Sequence, residues 1–223
     1  MSTYQVNDDL YPFNTTVLIR NRWGNNWYSG SGVIVGNNDV LTAAHLVYNH
    51  KLGGWPDECR VYPSWDPENS NYSTDYFVSN WQIGSTDWDE NGDGRLSRGD
   101  NMNGSLFELE KDICLISLHN DIGSTYGWMD LKFDFIGGKA SKLGYPSKHD
   151  YKLMYDEGYV YKDGIDNFFW YYLHDLEVNP GDSGGPIFIN SGDLGYQVIG
   201  IHSGHGRNRG NAVALNAFKN SWI

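Results

Sequence analysis

The chain has 223 residues, room for one large β domain or two small lobes sharing a core. Its formal net charge of −12 and pI near 4.8 argue against nucleic acid or an anionic membrane as the main partner. Two cysteines exclude a multi-bridge framework, and no run approaches the roughly 18 apolar residues that cross a bilayer.

Along the chain, short apolar or alternating runs recur between Gly/Asn/Asp clusters. They are "TTVLI", "SGVIV", "DVLTAA", "CRVYP", "ICLISL", "GYVYK", "FFWYYL", "GPIFI" and "YQVIGIH". Val, Ile and aromatics dominate them, as strands prefer, and "GNN", "NGDG", "NPG" and "SGD" punctuate them as turns. Helical periodicity is scarce. A turn after Ala43-Ala44 and the segment "NAVALNAFKNSWI" are the best cases. The chain therefore reads as all-β, a sandwich or a pair of barrels, with a short C-terminal helix. Cys59 and Cys114 are either one bridge or two free thiols; the apolar setting of Cys114 in "ICLISL" favours thiols. "MSTYQVNDDL" is polar and has no leader-like apolar core, so the chain either stays inside or begins as a mature form. Triplets at Asn14, Asn71 and Asn103 fit glycosylation acceptors and matter only in a eukaryotic secretory host.

Three separated motifs carry chemistry. In "GDSGGP" the glycines around Ser183 allow a tight turn that aims backbone N–H groups one way and lets a substrate approach. A serine hydroxyl needs an adjacent base to act as a nucleophile. "VLTAAHLVY" offers His45 after a strand-like run, and "EKDICLISL" offers Asp112 at the mouth of another. Each residue alone is ordinary; the order His, Asp, Ser matches a triad.

A fourth segment, residues 84–105, is acidic, Gly-rich and nearly free of apolar residues, and it reads as an inserted loop. Within it, "DENGDGRLSRGD" follows a calcium-loop pattern. Asp89, Asn91 and Asp93 take positions 1, 3 and 5, and Arg95 offers its carbonyl at 7. Ser97 takes position 9, and Asp100 stands at 12 where a bidentate Glu is usual. Without long flanking helices, a structural Ca²⁺ that staples the loop is expected rather than a sensor.

These motifs resemble the chymotrypsin-fold serine endopeptidases, over nearly the whole chain outside 84–105. The nearer likeness is to the bacterial branch containing the glutamyl endopeptidases, through "LYPFNTTVLI", "SGSGVIVGNNDVLTAAHLVY", "LGYPSKHDYKLMYDEGYVYK" and "VIGIHSG". The resemblance implies two antiparallel six-stranded β-barrels with the site between them. It places an N-terminal barrel over about 11–118, a C-terminal barrel over about 125–212 and a helix over about 213–223, all in one peptidase domain. It implies His45, Asp112 and Ser183 as the triad and the amides of Gly181 and Ser183 as the oxyanion hole. Ser203 would support Asp112, and Ser203-Gly204-His205 would pair with substrate backbone. It also implies a secreted enzyme acting on proteins or peptides, monomeric, with no nucleic-acid or membrane partner.

Specificity stays open on sequence. His202 matches the histidine with which that branch meets a substrate Glu, although Val178 stands where the branch has threonine. Glu177, six residues before Ser183, matches a pocket carboxylate that attracts Lys or Arg. Glu before the scissile bond is slightly favoured. A silent protease fold used for binding is the alternative from another class. The "IVGG"-type terminus of animal trypsins is absent, yet Asp182, which receives their new α-amine, is present.

Overall fold

The computed structural model describes residues 3–7, 9–69, 76–83, 111–165, 168–206 and 209–215. Fourteen strands occupy them. The first seven are β1 (Tyr4–Gln5), β2 (Thr16–Trp23), β3 (Asn26–Ile34), β4 (Asp39–Thr42), β5 (Glu58–Pro63), β6 (Tyr76–Ile83) and β7 (Cys114–Leu118). The rest are β8 (Asp130–Leu131), β9 (Gly137–Gly144), β10 (Met154–Ile165), β11 (Phe168–His174), β12 (Pro186–Asn190), β13 (Tyr196–Gly206) and β14 (Arg209–Ala214).

Strands β2-β3-β4-β7-β6-β5 form one closed barrel, shut by the β2–β5 pairing from Val17↔Pro63 to Arg22↔Glu58. Strands β9-β10-β11-β14-β13-β12 form a second ring, shut where Ile187 and Phe188 pair with Lys142 and Ser141. All twelve ring strands run antiparallel to their neighbours. The expected pair of six-stranded barrels is therefore what the chain forms.

The strand period of two explains the continuous apolar runs in the second barrel. Ile187, Ile199 and Ala212 point into its own core with Ala140, Val160 and Leu173. Their chain neighbours Phe188, Val198 and Val213 join the larger core that includes Val17, Ile19, Val33, Leu41 and Ile116 of the first barrel. One hydrophobic cluster thus joins the barrels, and the segments linking β4 to β5 and β11 to β12 are free to carry polar chemistry at the seam.

The C-terminal helix expected from residue 213 does not begin there. Val213 and Ala214 are strand, paired with Ile201 and Gly200, because both barrel faces at this point are buried and reward extended apolar residues. Residues 216–223 lie outside the described residues, as does the whole calcium-loop pattern of residues 89–100. Cys59 and Cys114 are both buried free thiols; burial pushes the Cys59 thiol up to about 12 and Cys114 well above its ordinary range.

Candidate active site

Strands β4 and β7 are antiparallel partners, with Thr42 opposite Cys114. The residues just after β4 and just before β7 therefore emerge at the same end of the sheet. A single helical turn, α1 (Ala44–Val47), follows β4 and carries His45; Asp112 precedes β7 by two residues. Asp112 is fully buried, whereas the His45 side chain is 21% exposed. Asp112 Oδ1 accepts the His45 backbone N–H at 2.8 Å, and its Oδ2 lies 2.8 Å from His45 Nδ1. A carboxylate accepts and does not donate, so Nδ1 is the donor of this contact and Nε2 is the ring nitrogen left for other chemistry.

Ser203 donates its hydroxyl to the same Oδ2. It can do so because it is the extra residue of a bulge. β13 pairs His202 with Ala212 and then Gly204 with Asn211, leaving Ser203 unopposed. The Ser203 carbonyl accepts from Ser183 Oγ at 3.4 Å, which places the serine of "GDSGGP" beside the His45–Asp112 pair. Both barrels thus contribute, His45 and Asp112 from the first and Ser183 and Ser203 from the second.

The turn holding Ser183 is fixed from three sides. Gly184 N–H donates to the His202 carbonyl at 2.7 Å, and His202 N–H donates to Gly185 at 2.9 Å, tying the turn to β13. Gly184 has φ +83°, and a Cβ there would stand 2.1 Å from the Ser31 carbonyl oxygen, so only glycine fits. Ser31 on β3 donates its N–H to the Ser183 carbonyl at 2.7 Å and its hydroxyl to the Gly181 carbonyl at 2.7 Å. The same hydroxyl accepts the Tyr145 N–H at 2.9 Å, while Thr42 holds the Ser31 carbonyl. On the third side, Ser147 N–H and Oγ both donate to the Pro180 carbonyl, at 2.8 and 3.1 Å. The carbonyl and N–H of a trans peptide point oppositely. Binding the Pro180 carbonyl to Ser147 therefore turns the Gly181 N–H away from Ser147. Among the described residues, neither the Gly181 nor the Ser183 N–H donates a hydrogen bond.

Of the residues expected near the specificity pocket, His202 and Ser203 are 1% exposed and Gly204 is partly exposed; the His205 side chain is not among those described. Val178 packs against the second barrel's core, and a Cβ on Gly210 would stand 2.4 Å from its Cγ2. Glu177 is engaged. Lys148 Nζ meets its Oε1 at 2.5 Å, and Asn179 Nδ2 donates to the same oxygen at 3.2 Å. The Lys148 ammonium, with smaller help from Thr3 and Asn179, holds the Glu177 carboxyl down at about 2.

The family profile described as Trypsin matches residues 2–223. The chain belongs to the trypsin family. Among curated members of that kind it is similar to a glutamyl endopeptidase of Bacillus licheniformis, 24% identical over 243 residues that cover 98% of this chain and 65% of that protein. A glutamyl endopeptidase of Staphylococcus epidermidis is 29% identical over 201 residues, covering 88% of this chain and 62% of the relative. The chain thus spans a little under two thirds of the length of these relatives. In fold it is similar to a solved Glu endopeptidase in complex with MPD, with a TM-score of 0.75 at 17% identity, covering 98% of this chain and 93% of that one.

Three residues that hold the Ser183 turn of this trypsin-family site were assigned no role from sequence: Ser31, Thr42 and Ser147. Each acts through a contact to a distant segment, and none lies in a motif that its own chemistry requires. Among the described residues, no group of three or more His, Cys, Asp or Glu is arranged to hold a metal, and no helix is long and apolar enough to cross a membrane.

Proposed function

We propose that this chain is a serine endopeptidase that cuts peptide bonds through Ser183, His45 and Asp112. One observation carries the reading: Asp112 fixes His45 through two hydrogen bonds and Ser203 through a third, with the Ser183 hydroxyl on the Ser203 carbonyl. Ser183 Oγ attacks the scissile carbonyl carbon, and its proton passes to His45 Nε2. The oxygen that gains charge rests on the undonated N–H groups of Gly181 and Ser183. His45 then gives its proton to the departing amine, and the acyl ester on Ser183 is hydrolysed by a water that His45 activates. Buried Asp112 keeps the imidazole oriented and stabilises its cationic form.

Substrate backbone adds as a strand along Ser203-Gly204-His205. Preference for Glu before the scissile bond is favoured over Lys or Arg. Support comes from His202, buried one residue from Ser203, and from Glu177, whose charge Lys148 already answers. The glutamyl endopeptidase relatives point the same way. The proposal includes secretion, on the resemblance. It also includes a structural Ca²⁺ on Asp89, Asn91, Asp93, the Arg95 carbonyl, Ser97 and Asp100, resting on the oxygen donor set of that sequence pattern alone.

The test is a cleavage profile. The protein and its Ser183→Ala variant are incubated with a diverse peptide library in calcium, and new termini are read by mass spectrometry. Cuts after Glu that vanish in the variant support the reading. Cuts after Lys or Arg move the specificity to Glu177, and wild-type silence sinks the proposal.

A further inference from the structure

Three arginines of the first barrel converge on one aromatic ring. The guanidinium carbons of Arg20, Arg60 and Arg22 lie 5.2, 5.5 and 5.9 Å from the centre of the Trp27 ring. Register brings them there. β2 pairs Arg20 with Ser29 of β3 and with Arg60 of β5, and it pairs Arg22 with Trp27 and Glu58. Directly opposite residues share a face of a sheet, so Trp27, the three arginines and Glu58 stand together on the outside of the barrel. Trp27 is 38% exposed, and the Arg22 and Arg60 side chains are half-buried.

Arg20 and Arg60 are direct cross-strand partners, an arrangement that like charge makes unfavourable. The negative face of the indole offsets part of that cost. Carboxylates offset the rest incompletely. Glu58 meets the Nε of Arg22 at 3.1 Å and the Nε of Arg60, and Asp57 stands 3.8 Å from Arg22 Nη1. Arg20 makes no ion pair or hydrogen bond among the described residues. The face therefore holds three guanidiniums against two carboxylates, on a chain whose net charge is −12. It is also preorganised. Arg22 Nη1 donates to the Gly24 carbonyl at 2.9 Å, and the Gly24 N–H donates to Asp57 at 2.7 Å, so the hairpin tip that carries Trp27 is tied to the segment before β5. Guanidinium forks held in place match carboxylates with little ordering left to do.

The position of this face points to substrate. Ser31 and Trp27 are four residues apart on one side of β3, about 13 Å along the strand. The Ser31 N–H holds the Ser183 carbonyl, while β13 holds the other flank of the same turn. In the reading above, the acyl half of a substrate pairs along β13, so the leaving half departs over β3. An extended peptide covers that distance in about four residues.

We infer that the face formed by Arg20, Arg22, Arg60 and Trp27 is a second binding surface for substrate, and that it takes a carboxylate-rich segment beginning about four residues beyond the scissile bond. The inference rests on the proposed peptidase reading for which half of the substrate is held; capture of carboxylates by the face is independent of it.

The test uses the Ser183→Ala protein, which leaves substrate intact, and two peptides that share a cleavable half. One carries an aspartate-rich tail from the fourth residue after the scissile bond; the other carries asparagine at the same places. By calorimetry the aspartate peptide should bind about tenfold tighter at low salt, and the gain should fade near 1 M salt, where the screening length is about 3 Å. Adding Arg20→Gln should cut the gain to about threefold, and Arg20→Glu should erase it. With position 20 unaltered, the ¹⁵N indole signal of Trp27 should move as the aspartate peptide is added while that of Trp128 stays, so the test survives a variant that fails to fold. Equal affinity for the two peptides, a gain unchanged in Arg20→Glu, or an unmoved Trp27 signal would overturn the inference. The aspartate tail alone should bind at least tenfold more weakly than the joined peptide. Equal binding would make the face a dock for a separate acidic partner and remove the substrate assignment. In the Ser183-containing protein, equal kcat/KM on both peptides sinks this inference and leaves the peptidase reading standing. Cleavage of neither peptide sinks that reading, and the tail's affinity then still decides whether the face takes carboxylates.

Discussion

Ser31→Ala is the perturbation that most directly probes how the first barrel holds the nucleophile of the second. The Ser31 hydroxyl is buried and works twice, accepting from Tyr145 N–H at 2.9 Å and donating to the Gly181 carbonyl at 2.7 Å. Alanine removes one oxygen and leaves two backbone groups without that partner. Tyr145 is fully buried, so its stranded N–H should cost about 1–3 kcal/mol. Gly181 is partly exposed and its carbonyl can turn to water, so the loss there is closer to about 1 kcal/mol. The sum is about 2–4 kcal/mol of stability. If the Gly181 share also falls on the transition state, kcat drops by roughly fivefold. Urea unfolding gives the first number, at unchanged slope, and initial rates on a peptide ester give the second. Ser29→Ala is the control. Ser29 lies two residues earlier on the same strand and its hydroxyl makes no hydrogen bond among the described residues, so the change should be within about 0.5 kcal/mol. A Ser31→Ala protein within about 1 kcal/mol of wild type, with full kcat, would refute the clamp.

Other outcomes follow from the same contacts. Ser203→Ala removes one charge-assisted bond to Asp112 and leaves both from His45; kcat should fall on the order of tenfold with the fold intact, read by steady-state rates and circular dichroism. Glu177 has a folded pKa below its ordinary value, so its contribution to stability is complete above about pH 4.5 and is lost as pH falls toward 2. With Lys148 and Glu177 both solvent-accessible, screening limits that contribution to about 0.5–1 kcal/mol. Glu177→Gln should be less stable by that amount at neutral pH and equal near pH 2 by urea unfolding. Calcium should raise the melting temperature and a chelator reverse it, with Asp89→Ala insensitive to both; equal melting curves would remove the ion from the account.

The architecture was legible because the barrel strands with two buried faces are runs of Val, Ile and aromatics, such as "GPIFI" and "YQVIGIH". Three of the ring strands escaped. β9, "GGKASKLG", has three glycines, two lysines and no β-branched residue, and is held by its place between β10 and β12 rather than by propensity. β6 lies beside the acidic segment, and β14 was read in part as helix because "NAVALNAF" has helix-forming composition. The site was legible where chemistry demands particular residues in a motif, as at His45 and Ser183. It was illegible where geometry gives an ordinary residue its role. The contact of Ser203 with Asp112 was legible only through the family resemblance, because no local pattern announces the bulge that makes it.

The central claim is that Ser183 is a nucleophile activated by His45. Its most direct measurement is reaction with a fluorophosphonate, which bonds phosphorus to an activated serine oxygen as fluoride leaves, followed by intact mass and peptide mapping. The account predicts one adduct per chain, on Ser183, absent in Ser183→Ala and strongly slowed in His45→Ala. No adduct in the folded wild-type protein, or an equal adduct in the Ser183→Ala variant, would contradict it.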